Sequence, residues 1–254
     1  MMMIAACGAV SAQRVITSTV SPKDLTVYNE QTVDLSIFRY IYKGWNTICL
    51  PISLTEAEVN EIFGEDCRLE TLVGVENNGT ATKLNFKDVK PDGLKARTPY
   101  ILYSEKADGV REIRQQESYI TTGPVELTFT DHTGTTVTFG GATEPGSSQG
   151  IYGILVKDNS SAAFVNATDV ANGIRASRCF IKMNDGETTN TLTSNHLPYD
   201  MTDVQDAVGE MTTNELVDVY NISGVRIATQ IQATEIGKLG SGVYVIKGKT
   251  IQIP

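Results

Sequence analysis

The chain has 254 residues, 41% hydrophobic and 20% charged, with 21 Lys and Arg against 30 Asp and Glu, a net charge of −9. This is the balance of an ordinary globular protein, long enough for one large or two smaller domains. The acidic excess and the lack of a basic run argue against nucleic acid and anionic membrane surfaces as partners. No apolar run is long enough to span a bilayer, so no transmembrane helix is expected.

Met1 to Ala12 is apolar or small throughout, and Val10-Ser11-Ala12 before Gln13 has the small residues a signal peptidase prefers. The segment 1–12 is therefore predicted to be a signal peptide cleaved after Ala12. Its positively charged start is missing, as if translation began further upstream. Ile4-Ala5-Ala6-Cys7 offers an alternative, a lipobox with Cys7 lipidated. The expected location is secreted or on the outer cell surface, with a lipid anchor through Cys7 as the alternative.

Residues 13–183 read as a β-sandwich domain. Val33, Leu35 and Ile37 alternate as in a half-buried strand. Gly44-Trp45-Asn46-Thr47-Ile48-Cys49-Leu50-Pro51 holds the only tryptophan and is apolar on both faces, so a strand covered on both sides is expected, ended by Pro51. Trp45 is read as core, its alternative being a sugar-stacking platform. Ser53 and Thr55, each followed three residues on by Glu56 or Glu58, are capping-box starts. Val59, Ile62 and Phe63 give a short helix one apolar face, and Gly64 should stop it.

Further strands are predicted around Leu69–Val75, Leu84–Phe86, Tyr100–Tyr103, Val125–Phe129, Val137–Phe139, Ile151–Val156, Ala162–Val165 and Arg178–Met183. Turn residues separate them, and Gly140–Gly150 reads as an exposed loop. A weak repeat runs through this region: Gly93-Leu94-Lys95-Ala96 leading to Tyr100-Ile101 matches Gly173-Ile174-Arg175-Ala176 leading to Phe180-Ile181. It implies either two equivalent turns into strands of a pseudo-symmetric sandwich or two equivalent ligand sites at Lys95 and Arg175.

Residues 184–213 are polar and read as a linker, with Asp200, Asp203 and Asp206 lacking the order of a calcium loop. Residues 214–254 carry two hairpins: Val217 and Val219 turn at Asn221–Gly224 into Val225 and Ile227, and Val243 and Val245 turn into Ile251 and Ile253. They form a small β module that must bury its apolar face to hold together. The fold class is thus all-β: an antiparallel β-sandwich with one short helix, plus a small C-terminal β module.

Two stretches carry a resemblance. Gly44–Pro51 with the following helix, Ala96…Pro99-Tyr100-Ile101 and Ala176…Phe180-Ile181 resembles secreted or surface β-rich proteins of Bacteroidetes, mostly without an assigned activity. Val219-Tyr220-Asn221-Ile222-Ser223-Gly224-Val225-Arg226 with Gly242–Ile246 is similar to the end of the type IX secretion sorting domain, which implies the secretion machinery as a partner. Ile52 stands where that first group has Phe, and Cys179 where it has Tyr. The upstream strands of the sorting domain are not evident.

No nucleophile elbow, His-Glu-x-x-His, phosphate loop or dinucleotide fingerprint occurs, so no catalytic, cofactor-binding or metal-binding residue and no cofactor is assigned. His132 and His196 lack zinc-ligand spacing. Cys49, Cys67 and Cys179, an odd number at wide spacing, are read as buried free thiols. Glu58 with Glu61, and Glu65 with Asp66, are read as solvated pairs. The expected function is an exported or cell-surface protein, leaning non-enzymatic, adhesive or glycan-binding, with glycans or surface proteins as partners. Its alternatives are a structural component of a surface assembly and an extracellular glycan hydrolase.

Overall fold

The computed structural model describes residues 13–19, 23–105, 108–123, 125–142, 144–147, 149–155, 163–167, 173–183, 191–199, 202–203, 216–247 and 249–253. The expected cleavage site after Ala12, Cys7, Asp200 and Asp206 lie outside these residues. The fold is all-β with one short α-helix. In chain order the strands are β1 (Gln13–Thr17), β2 (Gln31–Ile41), β3 (Gly44–Ile48), β4 (Arg68–Asn77), β5 (Ala81–Asp88), β6 (Tyr100–Ser104), β7 (Gly109–Ile120), β8 (Glu126–Thr130) and β9 (Thr136–Ala142). They continue as β10 (Tyr152–Leu155), β11 (Ala163–Asn166), β12 (Arg178–Met183), β13 (Thr191–Leu197), β14 (Thr202–Asp203), β15 (Leu216–Asn221), β16 (Arg226–Gln232), β17 (Gly242–Ile246) and β18 (Lys249–Ile253). The helix α1 spans Glu56–Phe63.

Three sheets stack as layers. The middle one, ordered β13-β5-β4-β6-β3, is covered on one face by β11-β10-β12-β9-β8 and on the other by β1-β2-β7 with α1. This explains the double-faced apolar run of β3. Trp45 and Cys49 enter the core shared with Phe86, Phe139 and Ile181, whereas Ile48 and Leu50 enter the core shared with Ile37, Val59 and Phe63. Side chains alternate across a strand, so one run serves two cores. The helix starts at Thr55, whose hydroxyl and backbone N–H engage Glu58 in a complete capping box, and ends at Gly64. Cys49, Cys67 and Cys179 are buried, and burial pushes the Cys49 thiol up to about 12.

The repeat seen in the sequence is a structural one. The strand orders β5-β4-β6-β3 and β11-β10-β12-β9 are the same path traced twice. Within them Trp45 pairs with Tyr103 as Val137 pairs with Met183, and Ile48 with Tyr100 as Gly140 with Phe180. The turns agree in detail. Gly93 and Gly173 both have positive φ, followed by the bridges Leu54–Leu94 and Gly146–Ile174. Four residues on, Arg97 and Ser177 are both at positive φ, and each donates its N–H at 2.6 Å to a carbonyl, Leu50 and Ala142 respectively.

Several expectations change. Residues 184–213 were expected as a linker, yet Thr191–Leu197 forms β13 and pairs parallel with β5, adding a strand to the middle sheet. Parallel pairs also join β1 to β2 and β14 to β18. Gly140, Gly141 and Ala142, expected in a loop, are buried at the end of β9. There the Phe180 ring fills the space that a side chain at Gly140 would need.

The C-terminal strands form a fourth sheet, ordered β14-β18-β17-β15-β16. It buries its own cluster of Val217, Val219, Ala233, Ile236, Ile246, Ile251 and Ile253. It meets the sandwich through a smaller patch of Val73, Leu197 and Val243. Gly74 on β4 lies so close that an added Cβ would sit 3.2 Å from the Cα of Gly242. Backbone approaches backbone there because neither residue has a side chain. Among the described residues, no helix is long and apolar enough to cross a membrane.

Candidate functional site

The Gly74–Gly242 contact lies near three turns: Asn77-Asn78 at the end of β4, Asp131–Thr135 between β8 and β9, and Asn221–Val225 between β15 and β16. Between them and the strand β17 lies an open crevice of about 510 Å³. Its polar side is built from turn residues. Asp131, buried at 5% exposure, accepts hydrogen bonds from the backbone N–H groups of Asn77, Thr133 and Thr135 at 2.8, 2.9 and 3.0 Å. That carboxylate ties the β8–β9 turn to the end of β4. Asn78 Oδ1 accepts from Thr80 and Ala81, and Asn221 Oδ1 accepts from Ser223 and Val225. Such Asx turns commit the carbonyl of each amide. Neither Nδ2 group has a partner among the described residues, and both asparagines line the crevice.

Apolar side chains also line the crevice: Val225, Ile227, Leu239 and Val243. Tyr244 also lines the crevice, and its hydroxyl donates to the Gly240 carbonyl at 2.9 Å. Burial, then the nearby Glu76 and Asp131 carboxylates, raise its pKa, so the hydroxyl stays protonated. His132 stands at the rim with its side chain 76% exposed. Polar and apolar side chains thus line one open space, as in many small-molecule sites.

A second cluster lies in the sandwich. Trp45 is fully buried, so it is core and not an exposed stacking platform. His196 stacks on it at 4.4 Å between ring centroids, and the Arg68 guanidinium lies 4.8 Å from the Trp45 centroid and 4.7 Å from that of Tyr103. Trp45 and His196 sit on β3 and β13, the two edge strands of the middle sheet, and their rings nevertheless stack. His196 Nδ1 is 2.6 Å from Glu70 Oε2, and its Nε2 is 3.1 Å from Ser194 Oγ. Glu70 is 1% exposed, and burial raises its pKa against the opposing pull of His196 and Arg68.

The sign of that shift gives a stability prediction. A carboxyl group with a folded-state pKa above its ordinary value near 4.5 binds protons more tightly folded than unfolded. Its contribution is fully present below that ordinary value and declines as pH rises through the raised folded value. The groups acting on it are His196, Arg68 and Asp88. In urea unfolding across this window, wild-type stability should fall relative to Glu70→Gln as pH rises. Parallel pH profiles would rule the effect out.

Sequence reasoning left both places unassigned. The carboxylate pairs it set aside remain apart from them: Glu61, Glu65 and Asp66 are exposed at or beyond the end of α1, and Glu58 caps its start. His132 and His196 do not come together; one rims the crevice and the other lies in the sandwich. Among the described residues, no group of three or more His, Cys, Asp or Glu is placed to hold a metal ion. The signal for Glu70 was legible as a charged residue in the apolar run Leu69–Val75. The crevice had no local signal, since its three turns are spread over more than 140 residues of the chain. Compared with known proteins, the chain matches no family model, no curated protein and no solved structure.

Proposed function

We propose that the chain is an exported, non-enzymatic binding protein that takes a glycan in the crevice between the sandwich and the C-terminal sheet. The observation carrying this reading is that the amides of Asn78 and Asn221 line one open space of about 510 Å³ together with Val225, Ile227, Leu239 and Val243. The leader-like start supports export, and the tail's similarity to a sorting domain supports display at a Bacteroidetes-type cell surface. Glycan-array screening followed by calorimetry tests the binding. His132→Ala and Ile227→Ser alter side chains that are 76% and 49% exposed, so neither should disturb the fold. Each should weaken binding of an array hit about tenfold, the factor for roughly 1.4 kcal/mol of lost contact. An array with no hits, or hits indifferent to both changes, discards the crevice as a glycan site.

A second reading rests on the order Ser194–His196–Glu70, which is that of a nucleophile, base and orienting carboxylate. It makes the chain an extracellular hydrolase acting through an acyl-enzyme, in place of the two-carboxylate glycosidase chemistry considered from sequence. A fluorophosphonate probe should then label wild type and not Ser194→Ala. No labelling of the wild type removes this reading.

A further inference from the structure

The alternation of β2 places Val33, Leu35, Ile37 and Ile41 in the core, and Arg39 occupies an inward position of the same series. Arg39 is 4% exposed. Its guanidinium donates to the Thr47 carbonyl at 2.9 Å, while its Nε is buried without a partner. The second turn of the repeat brings two more guanidinium groups, Arg175 and Arg178, to the same cleft. Arg175 donates to the Thr19 carbonyl at 2.7 Å. Thr17, Ser18, Thr19 and Ser177 supply hydroxyl groups around them. Among the described residues, no carboxylate forms an ion pair with any of these three arginines.

An arginine cannot shed its proton in a protein, and a buried charge without a counter-charge is costly. Here only Arg39 is buried, but half-buried Arg178 and exposed Arg175 line the same cleft and add two like charges beside it. Desolvation, reinforced by the Arg178 and Arg175 charges, disfavours the charged form of Arg39. A guanidinium fork is matched by the oxygens of a carboxylate, sulfate or phosphate, which would supply the missing counter-charge. We infer that the Arg39–Arg175–Arg178 cleft is a binding site for an oxyanion, presented as the terminal acidic group of a ligand. The cleft encloses about 10 Å³, room for one oxygen-sized atom, so the ligand's remaining bulk lies outside it. This site is independent of the crevice. It belongs to the second copy of the repeat only; in the first, Lys95, Arg97 and Thr98 stand where Arg175, Ser177 and Arg178 do, and Arg97 donates to the Gly123 carbonyl at 3.2 Å.

The test is titration of the full chain with acetate, sulfate and phosphate at pH 7 and constant ionic strength, chloride being the balancing ion. Saturable binding of at least one oxyanion, with a matching rise in Tm, is expected. Arg175→Gln and Arg178→Gln should each weaken it at least tenfold, and Lys95→Gln should leave it unchanged. Preference for acetate identifies a carboxylate ligand, and preference for sulfate or phosphate a tetrahedral one. Arg39→Met should melt higher than wild type without oxyanion and lose the oxyanion response; if it fails to fold, the two glutamine variants decide. No saturable binding in wild type, or equal binding by wild type and both glutamine variants, overturns the proposal.

Discussion

Gly93→Ala and Gly173→Ala should each lower the unfolding free energy by about 3 kcal/mol or more, while Gly79→Ala and Gly134→Ala should cost only about 1 kcal/mol. All four glycines have positive φ, so all four substitutions carry backbone strain. They differ in what a Cβ would meet. At Gly79 and Gly134 it would find open space, whereas at Gly93 it would overlap the Leu54 carbonyl oxygen and at Gly173 the Gly146 carbonyl oxygen. Those two residues are the bridge partners of Leu94 and Ile174, so a methyl group there would push apart the hydrogen bonds that close each turn. Gly93 also has φ 71° and ψ −176°, a region open essentially to glycine alone. Native stabilities are about 5–15 kcal/mol, so the double variant should be close to unfolding at room temperature. Urea melts of the four single variants measure this directly. Equal losses at all four positions would mean the bridged turns are not under the constraint seen here.

That pair of glycines is also where the sequence was most informative. The order glycine, aliphatic, base, alanine, then aromatic and isoleucine carried the duplication, because a turn with two positive-φ residues and one bridge tolerates few side chains. The helix was equally legible, since Thr55, Glu58 and Gly64 each act locally. Strand β7 was not. Its twelve residues, with Arg111, Glu112, Arg114 and Glu117, bury only Ile113, Ser118 and Ile120. A mostly exposed strand has little apolar alternation to read. Strand β13 was hidden for another reason. His196 occupies one of its inward positions, where Trp45 and Glu70 surround it, and a histidine among threonine, serine and asparagine reads as polar linker. Arg39 was misleading in the opposite sense, a charge continuing an apolar series. Both exceptions fall in the two polar clusters inside the sandwich. The crevice depends on how sheets pack, which no single segment specifies.

The packing of the C-terminal sheet leads to the second large effect. A chain ending at Tyr199 should keep the sandwich folded and lose about 5–15 °C in Tm. The two attachments differ in size. The sheet has its own cluster of seven buried residues, whereas the patch joining it to the sandwich contains three, of which Val73 and Leu197 belong to the sandwich side. Uncovering two aliphatic side chains costs about 2–4 kcal/mol, somewhat less than their full burial, and in a domain of this size each kcal/mol moves Tm by about 2–4 °C. Trp45 is the only tryptophan and lies in the core between the two duplicated sheets, so its fluorescence reports the sandwich and not the tail. Gly74→Val should act like the truncation without removing a residue, because its side chain would press on the Gly242 backbone and lift the C-terminal sheet away. Trp45 fluorescence should then show a cooperative, moderately lowered transition in both proteins, and the proposed glycan binding should be lost in both, since β17 and its neighbours line the crevice. In the native host the shortened chain should also lose its surface location if the tail is read by secretion machinery, whereas Gly74→Val, which keeps the tail intact, should not. A truncated chain that aggregates or lacks a cooperative transition would instead make the C-terminal sheet a fourth layer of one core.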